Sequence, residues 1–351
     1  MKHTFNSLTV FDASSVVTQT YRKSMKKDQT RLLVLGTAEA GITLVRELLV
    51  RPELNVKVIG FLDEKGENIG KSLVNPSIIG SVNDVSDIVK ENGVSQVILS
   101  LNERRGCTPI EQLLQLKFSG VEVADAHSAY EKLTGKILLT NLEPSWLFLS
   151  AGFRKSPFLL TAKRCTDIVI SLFGIILGLP LMGVIALAIW LETGFPILFR
   201  QERVGLGQHP FTILKFRSML QNAEASGPSW AQNNDPRITR VGQLLRKFRL
   251  DELPQIFNVL RGEMSLVGPR PEQTQLCKML EQVIPMYWRR HSIRPGITGW
   301  AQVKYQYGSN IEDAKRKLEY ELYYIKNLSL KLDLAIILAT FKVVLFGRGA
   351  K

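Results

Sequence analysis

Residues 31–50 read RLLVLGTAEAGITLVRELLV. An apolar run closes on Gly36 and is followed by apolar residues at helical spacing, which predicts a strand, a tight turn and a helix. A second strand is predicted at VKVIGFLD (56–63), ending on Asp63, 22 residues after Gly41 and about where a dinucleotide-binding fold places its ribose ligand. Further strands at VSQVILS (94–100) and VEVADA (121–126), with helices between them, predict a parallel doubly wound sheet over residues 31–145.

The turn itself spells GTAEAG, with Ala38 where the middle glycine of the fingerprint would allow a pyrophosphate to come close. Two readings stand side by side. In one, Gly36, Gly41 and Asp63 bind a nucleotide or coenzyme; in the other, residues 31–145 form a structural or regulatory Rossmann-like accessory domain and Asp63 is a solvated strand end. Residues 1–30 read as a basic flexible arm, with Arg22, Lys23, Lys26 and Lys27 and no apolar core for a secretory signal. Residues 146–162 read as a linker to a second domain, 163–351.

Charge separates the two halves. Residues 1–160 carry 19 basic and 17 acidic side chains and residues 161–351 carry 26 and 15, so +11 of the net +13 lies in the second half. An anionic partner follows, whether nucleic acid, lipid headgroup or phosphorylated substrate. Cys107, Cys165 and Cys277 are odd in number and widely spaced, without a CxxC or a partner His, which supports neither a disulfide framework nor a zinc site. The arginines track an acid pair and an apolar run rather than exposed aromatics or one recognition helix, which argues against nucleic acid.

The apolar run is IVISLFGIILGLPLMGVIALAIWL (168–191), 24 residues without a charge, long enough to enter a bilayer. Pro180 stands at its middle, with Gly174, Gly178 and Gly183 around it, and predicts a sharp bend. Lys163 and Arg164 precede the run, and Arg200, Arg203, Lys215 and Arg217 follow it, so both ends are expected on the cytoplasmic face and the helix is expected to be re-entrant. A plain spanning helix and a buried core helix are the competing readings. LAIILATF (334–341) is too short to span and reads as core or as an interfacial helix.

Beyond the run, Asp251 and Glu252 stand among Arg246, Lys247, Arg249 and Arg261, with Pro254 opening a new helix. They read either as solvated acids favoured at a helix start or as a working carboxylate pair. The second reading needs cations to neutralise phosphate oxygens, and the segment supplies them. GPRP (268–271) stiffens the backbone around Arg270, whose guanidinium can fork onto a phosphate.

LDELPQIFNVLRGEMSLVGPRP (250–271), KFRSM (215–219), FRQERVG (199–205) and RPGITGWAQV (294–303) together resemble the bacterial sugar transferase family, the monotopic polyprenyl-phosphate phosphoglycosyl transferases. The front half resembles the accessory domain of its longer members. Many of those also carry four N-terminal membrane helices, which this chain is not expected to have. The resemblance implies an α/β front domain followed by a mostly α-helical, membrane-associated catalytic domain with a re-entrant helix. It implies transfer of a phosphosugar from a UDP-sugar to undecaprenyl (polyprenyl) phosphate with release of UMP, on the cytoplasmic face of the bacterial inner membrane. Asp251 matches the family nucleophile and Glu252 its partner carboxylate, the pair holding Mg²⁺. Lys215, Arg217, Arg246, Arg270, Pro271 and Arg294 match substrate-binding positions. A homodimer is left open, as is the sugar. The family's Ser-Pro break in the membrane helix is Leu179-Pro180 here, and its Asn-Gly-Arg after RPGITGWAQV is replaced by Lys304-Tyr305-Gln306. A membrane-tethered nucleotide-binding or scaffold protein without transferase activity is the alternative.

Overall fold

A computed structural model describes residues 29–101, 108–139, 150, 152–220, 235–305 and 310–345. They fall into two compact units, and the chain passes from the first to the second after Ser150. Of the expected arm 1–30, residues 1–28 lie outside the described residues and Thr30 already belongs to the first strand.

The front unit is built on strands β1 (Thr30–Leu35), β2 (Val56–Asp63), β3 (Ile78–Ser81), β4 (Gln96–Leu99) and β5 (Glu122–Asp125). Their order in the sheet is β3-β2-β1-β4-β5 and every pairing is parallel. Side chains alternate across a strand, so Leu32 and Val34 of β1 feed one apolar layer while Leu33 and Leu35 feed the other. Helices α1 (Glu39–Leu49) and α4 (Ala126–Thr134) cover the first face; α2 (Val85–Glu91) and α3 (Ile110–Phe118) cover the second. Both faces are therefore buried, which is why β1 reads as an unbroken apolar run. The expected strands form; β3 adds a fifth, short enough that IIGS gave no alternation to read.

The second unit begins on α5 (Pro157–Thr193), a 37-residue helix. Ser156 accepts a hydrogen bond from the Leu159 amide and Pro157 occupies the first turn, so the helix starts well before the uncharged run. The last residues of the expected linker, 157–162, are thus helical. The helix continues through Pro180 as one element. After it come an antiparallel hairpin, β6 (Leu198–Val204) with β7 (Pro210–Phe216), and helices α6 (Arg240–Lys247) and α7 (Gln255–Arg261). Then follow β8 (Ser265–Val267), α8 (Thr274–Val283), β9 (Gly296–Thr298), α9 (Trp300–Lys304), α10 (Ile311–Lys326) and α11 (Leu330–Leu345), with β8 and β9 paired in parallel. The unit is mostly helical, with two small two-stranded sheets.

Both ends of α5 are fastened to this one unit. At the front end Lys163 pairs with Asp333 of α11 at 2.7 Å, Arg164 donates to the Val259 and Leu260 carbonyls, and Asp167 accepts from the Leu266 amide. At the far end Ile185 and Ile189 pack with Phe216 and Leu245, and Glu192 caps the α6 amides of Arg240 and Val241. Between these anchors Phe173, Ile176, Leu177 and Leu179 are more than half exposed.

Candidate active site

The acidic pair lies in a short 3₁₀ turn, Leu250–Glu252, between α6 and α7. Arg249 enters it in the left-handed region, φ 55°, which turns the chain sharply after α6. Leu250 and Leu253 pack against the apolar cluster of Ile185, Ile189, Phe216 and Leu245, drawing the turn inward. Asn258 of α7, fully buried, accepts from the Leu214 amide at 3.0 Å and donates to the Thr212 carbonyl at 2.7 Å. It locks α7 to β7, and the next β7 residue after Leu214, Lys215, is thereby presented to the turn.

Asp251 and Glu252 are 8% and 9% exposed, which excludes the reading of solvated helix acids. Their surroundings differ. Glu252 accepts from Arg270 at 2.8 Å and lies 3.5 Å from Lys215. Burial alone would raise its pKa, but the Arg270 and Lys215 charges outweigh it and hold this carboxyl well below the usual carboxylate range. Asp251 has neither a hydrogen bond nor an ion pair to any described residue. Burial, and then the charge on Glu252, raises its pKa, with Lys215, Arg246 and Arg270 opposing. Two adjacent carboxyls are driven apart by their environments, the arrangement that assigns them different chemical roles. The Lys215 ammonium is itself pushed down by burial.

Arg270 is held from behind. Gly268 donates to the Thr298 carbonyl and Gly296 to the Pro269 carbonyl, which fixes the GPRP backbone on β9. The approach is so close that a Cβ on Gly268 would stand 2.4 Å from the Arg294 carbonyl oxygen. Arg290, 4% exposed, donates to the Arg270 carbonyl at 2.8 Å and grips Glu321 of α10 through two hydrogen bonds of 2.9 and 2.7 Å. The Tyr287 hydroxyl accepts a further bond from it. Sequence reading missed this support: Arg290 and Glu321 look like surface charges in WRRHS and EYELYY.

The structure thus brings together Asp251, Glu252, Lys215, Arg246, Arg270 and Pro271. It does not bring in two of the expected arginines. Arg217 is buried and its guanidinium donates to the Thr193 side chain and the Gly194 carbonyl, fastening the end of α5. Arg294 donates to the Gly262 carbonyl, just past the C-terminal end of α7, whereas the acidic turn precedes the N-terminal end. Cations there complement the helix dipole.

In the front unit the expected nucleotide turn is already filled by its own chain. The Gly41 amide donates to the Ser100 hydroxyl at 2.8 Å and the Ala38 amide to the Ser100 carbonyl at 2.9 Å. A Cβ on Gly36 would meet that same carbonyl oxygen at 2.3 Å. Gly36 and Gly41 therefore make room for Ser100 rather than for a pyrophosphate. Asp63, 5% exposed, accepts from the Glu67 and Asn68 amides and closes its own loop, so it is neither a ribose ligand nor a solvated strand end.

A magnesium ion fits the donor chemistry. Mg²⁺ takes one or two carboxylates with waters and substrate phosphates completing its shell. Asp251 and Glu252 offer that set, and the raised pKa of Asp251 marks a negative charge that a cation would relieve. No group of three or more His, Cys, Asp or Glu suited to a metal occurs among the described residues, so the substrate would have to supply the rest.

The site is a buried carboxylate pair in a cationic setting, on a helical unit entered by one long apolar helix. The chain belongs to the bacterial sugar transferase family, which matches residues 158–347. Residues 4–119 match a CoA-binding domain family. Among curated relatives, the UDP-N-acetylgalactosamine-undecaprenyl-phosphate N-acetylgalactosaminephosphotransferase of Aeromonas hydrophila is 46% identical over 221 residues, 63% of this chain and 52% of its own length. The UDP-glucose:undecaprenyl-phosphate glucose-1-phosphate transferase of Xanthomonas campestris is 33% identical over 338 residues, 92% of this chain and 68% of its own length. The corresponding Escherichia coli enzyme is 31% identical over 319 residues, 88% of this chain and 66% of its own length. The chain thus spans between about half and two thirds of these relatives.

Proposed function

We propose that the chain transfers a sugar phosphate from a UDP-sugar to undecaprenyl phosphate, as the names of its relatives describe for them. One observation carries the roles of the two acids: Glu252 is clasped by Arg270 and Lys215, whereas Asp251 is buried without a described partner. A carboxylate whose lone pairs are not engaged is the one available to attack.

In the first step an Asp251 carboxylate oxygen bonds to the sugar-linked phosphorus as the bond from that phosphorus to the bridging oxygen breaks, and UMP leaves with the electron pair. In the second, an oxygen of the lipid phosphate bonds to the same phosphorus and Asp251 is released. Lys215, Arg246 and Arg270 hold the phosphate oxygens. Arg270 keeps Glu252 ionised and in place. When bound, Mg²⁺ would neutralise phosphate charge, held chiefly by Glu252, with Asp251 beside it.

The membrane assignment rests on the anchoring of α5. Its exposed apolar middle suits lipid, and both its ends are tied to one polar unit, which supports entry and return on a single face, the cytoplasmic one.

The test uses a UDP-sugar labelled in its β-phosphate, the one bonded to the sugar, with UDP-N-acetylgalactosamine and UDP-glucose as donors. With lipid phosphate withheld, wild type traps label on the protein and Asp251→Asn does not. Labelling of folded Asp251→Asn would overturn the assignment.

A further inference from the structure

The acidic turn is followed at once by Gln255, and this side chain is unaccounted for. Gln255 is 2% exposed, and its Nε2 has no hydrogen-bond partner among the described residues. A buried amide left unpaired carries a desolvation cost, so it calls for an occupant.

The side chain lines a small cavity together with Arg203, Ile213, Lys215, Arg270 and Pro271. None of the lining residues is acidic and three are cationic. Arg203 is oriented there by the Pro271 carbonyl and Gln201. A setting of three cations and no acid suits the oxygens of a phosphoryl group.

We infer that Gln255 is a substrate ligand of the transfer site, donating from its carboxamide to a phosphoryl oxygen seated between Lys215, Arg203 and Arg270. The inference rests on the proposed transfer reaction, which supplies two such groups: the diphosphate of the UDP-sugar and the phosphate of the lipid. A neutral donor suits this position. It adds a directed hydrogen bond without adding a fourth cation that would compete for Glu252.

The experiment uses the full chain in lipid nanodiscs, with Gln255→Leu and, as a second variant of similar volume, Gln255→Met. Half-saturation by UDP-N-acetylgalactosamine and by UDP-glucose is read from label trapped on the protein without lipid phosphate. Half-saturation by undecaprenyl phosphate is read from turnover at saturating donor. A lost hydrogen bond to a charged group should raise one of these by on the order of ten- to a hundred-fold. The donor arm moving assigns the oxygen to the UDP-sugar, and the acceptor arm moving assigns it to the lipid; either supports the inference. The thermal midpoint of the free variants should stay level or rise, because an unpaired buried amide has been removed. Unchanged half-saturation in both arms, or a fall in thermal midpoint that accounts for the lost activity, would overturn it. Calorimetric titration with pyrophosphate reads the cavity without turnover. A wild type that binds pyrophosphate through Gln255 yet never becomes labelled would remove the transfer reaction and leave this ligand role standing.

Discussion

Glu321→Gln keeps the shape of the side chain that grips Arg290 and removes its charge. Arg290 makes two hydrogen bonds to Glu321, one to Tyr287 and one to the Arg270 carbonyl, all within a region where Arg290 and Glu321 side chains are 4% and 5% exposed. Losing one partner of such a pair leaves a buried guanidinium uncompensated, a cost of about 3–5 kcal/mol. For a unit of this size each kcal/mol lowers the midpoint by roughly 2–4 °C, so the melt should move down by roughly 6–20 °C. Stability alone would not establish a part in the reaction. The informative comparison is Arg290→Leu combined with Glu321→Leu, because replacing both members by apolar groups is often neutral or stabilising. That double variant removes the donor from the Arg270 carbonyl while sparing the fold. A displacement of Arg270 by ~1 Å should then cost on the order of a hundred-fold in UMP release. A double variant that melts like wild type and releases UMP at the wild-type rate would refute the claim that this pair positions Arg270.

Protonation of Asp251 should stop label incorporation, and because burial and Glu252 raise its pKa, the acid limb of the pH profile should lie above the ordinary aspartate value of about 3.9. Lys215→Met removes a charge that opposes this rise and should shift the limb to higher pH, and a limb unmoved by it would exclude Asp251 as the titrating group. Glu252 has the opposite sign: its folded pKa is depressed, so its contribution to stability is present above the unfolded glutamate value and is lost as pH falls through the folded one. Arg270→Gln should shrink that contribution, read as a weaker dependence of the thermal midpoint on pH at the acid end. Gly268→Ala puts a methyl 2.4 Å from the Arg294 carbonyl oxygen and should cost activity together with stability, checked by UMP release and melting; full activity would show that GPRP is not held as tightly as its contacts indicate.

Period and punctuation make four of the five front strands legible, since a strand such as LLVL (32–35), buried on both faces, stays apolar throughout, whereas β3 is too short to show a period. The acid pair was legible because two acids among arginines break a local pattern. Direction was not. Arg217 and Arg294 carry the right charge in the right motifs, but only the fold shows one turned to the end of α5 and the other beyond the far end of α7. The Arg290–Glu321 pair joins residues 31 apart in sequence, and Ser100 reaches Gly41 across 59, separations at which no spacing rule operates. Gln255 was hidden for a different reason: a neutral amide has no charge to count, and its significance appears only as a missing partner.

Glu192 and Thr193 close the long helix directly onto the start of α6 and onto Arg217, and α6 leads straight into the acidic turn. In the membrane reading, the depth to which the apolar middle sinks therefore sets the height of Asp251 above the lipid. A phosphate on a polyprenyl chain is confined to one plane, while a nucleotide sugar arrives from solution. A reaction centre hung at a fixed height from its own anchor meets the first by lateral drift alone and leaves only the second to be found in three dimensions.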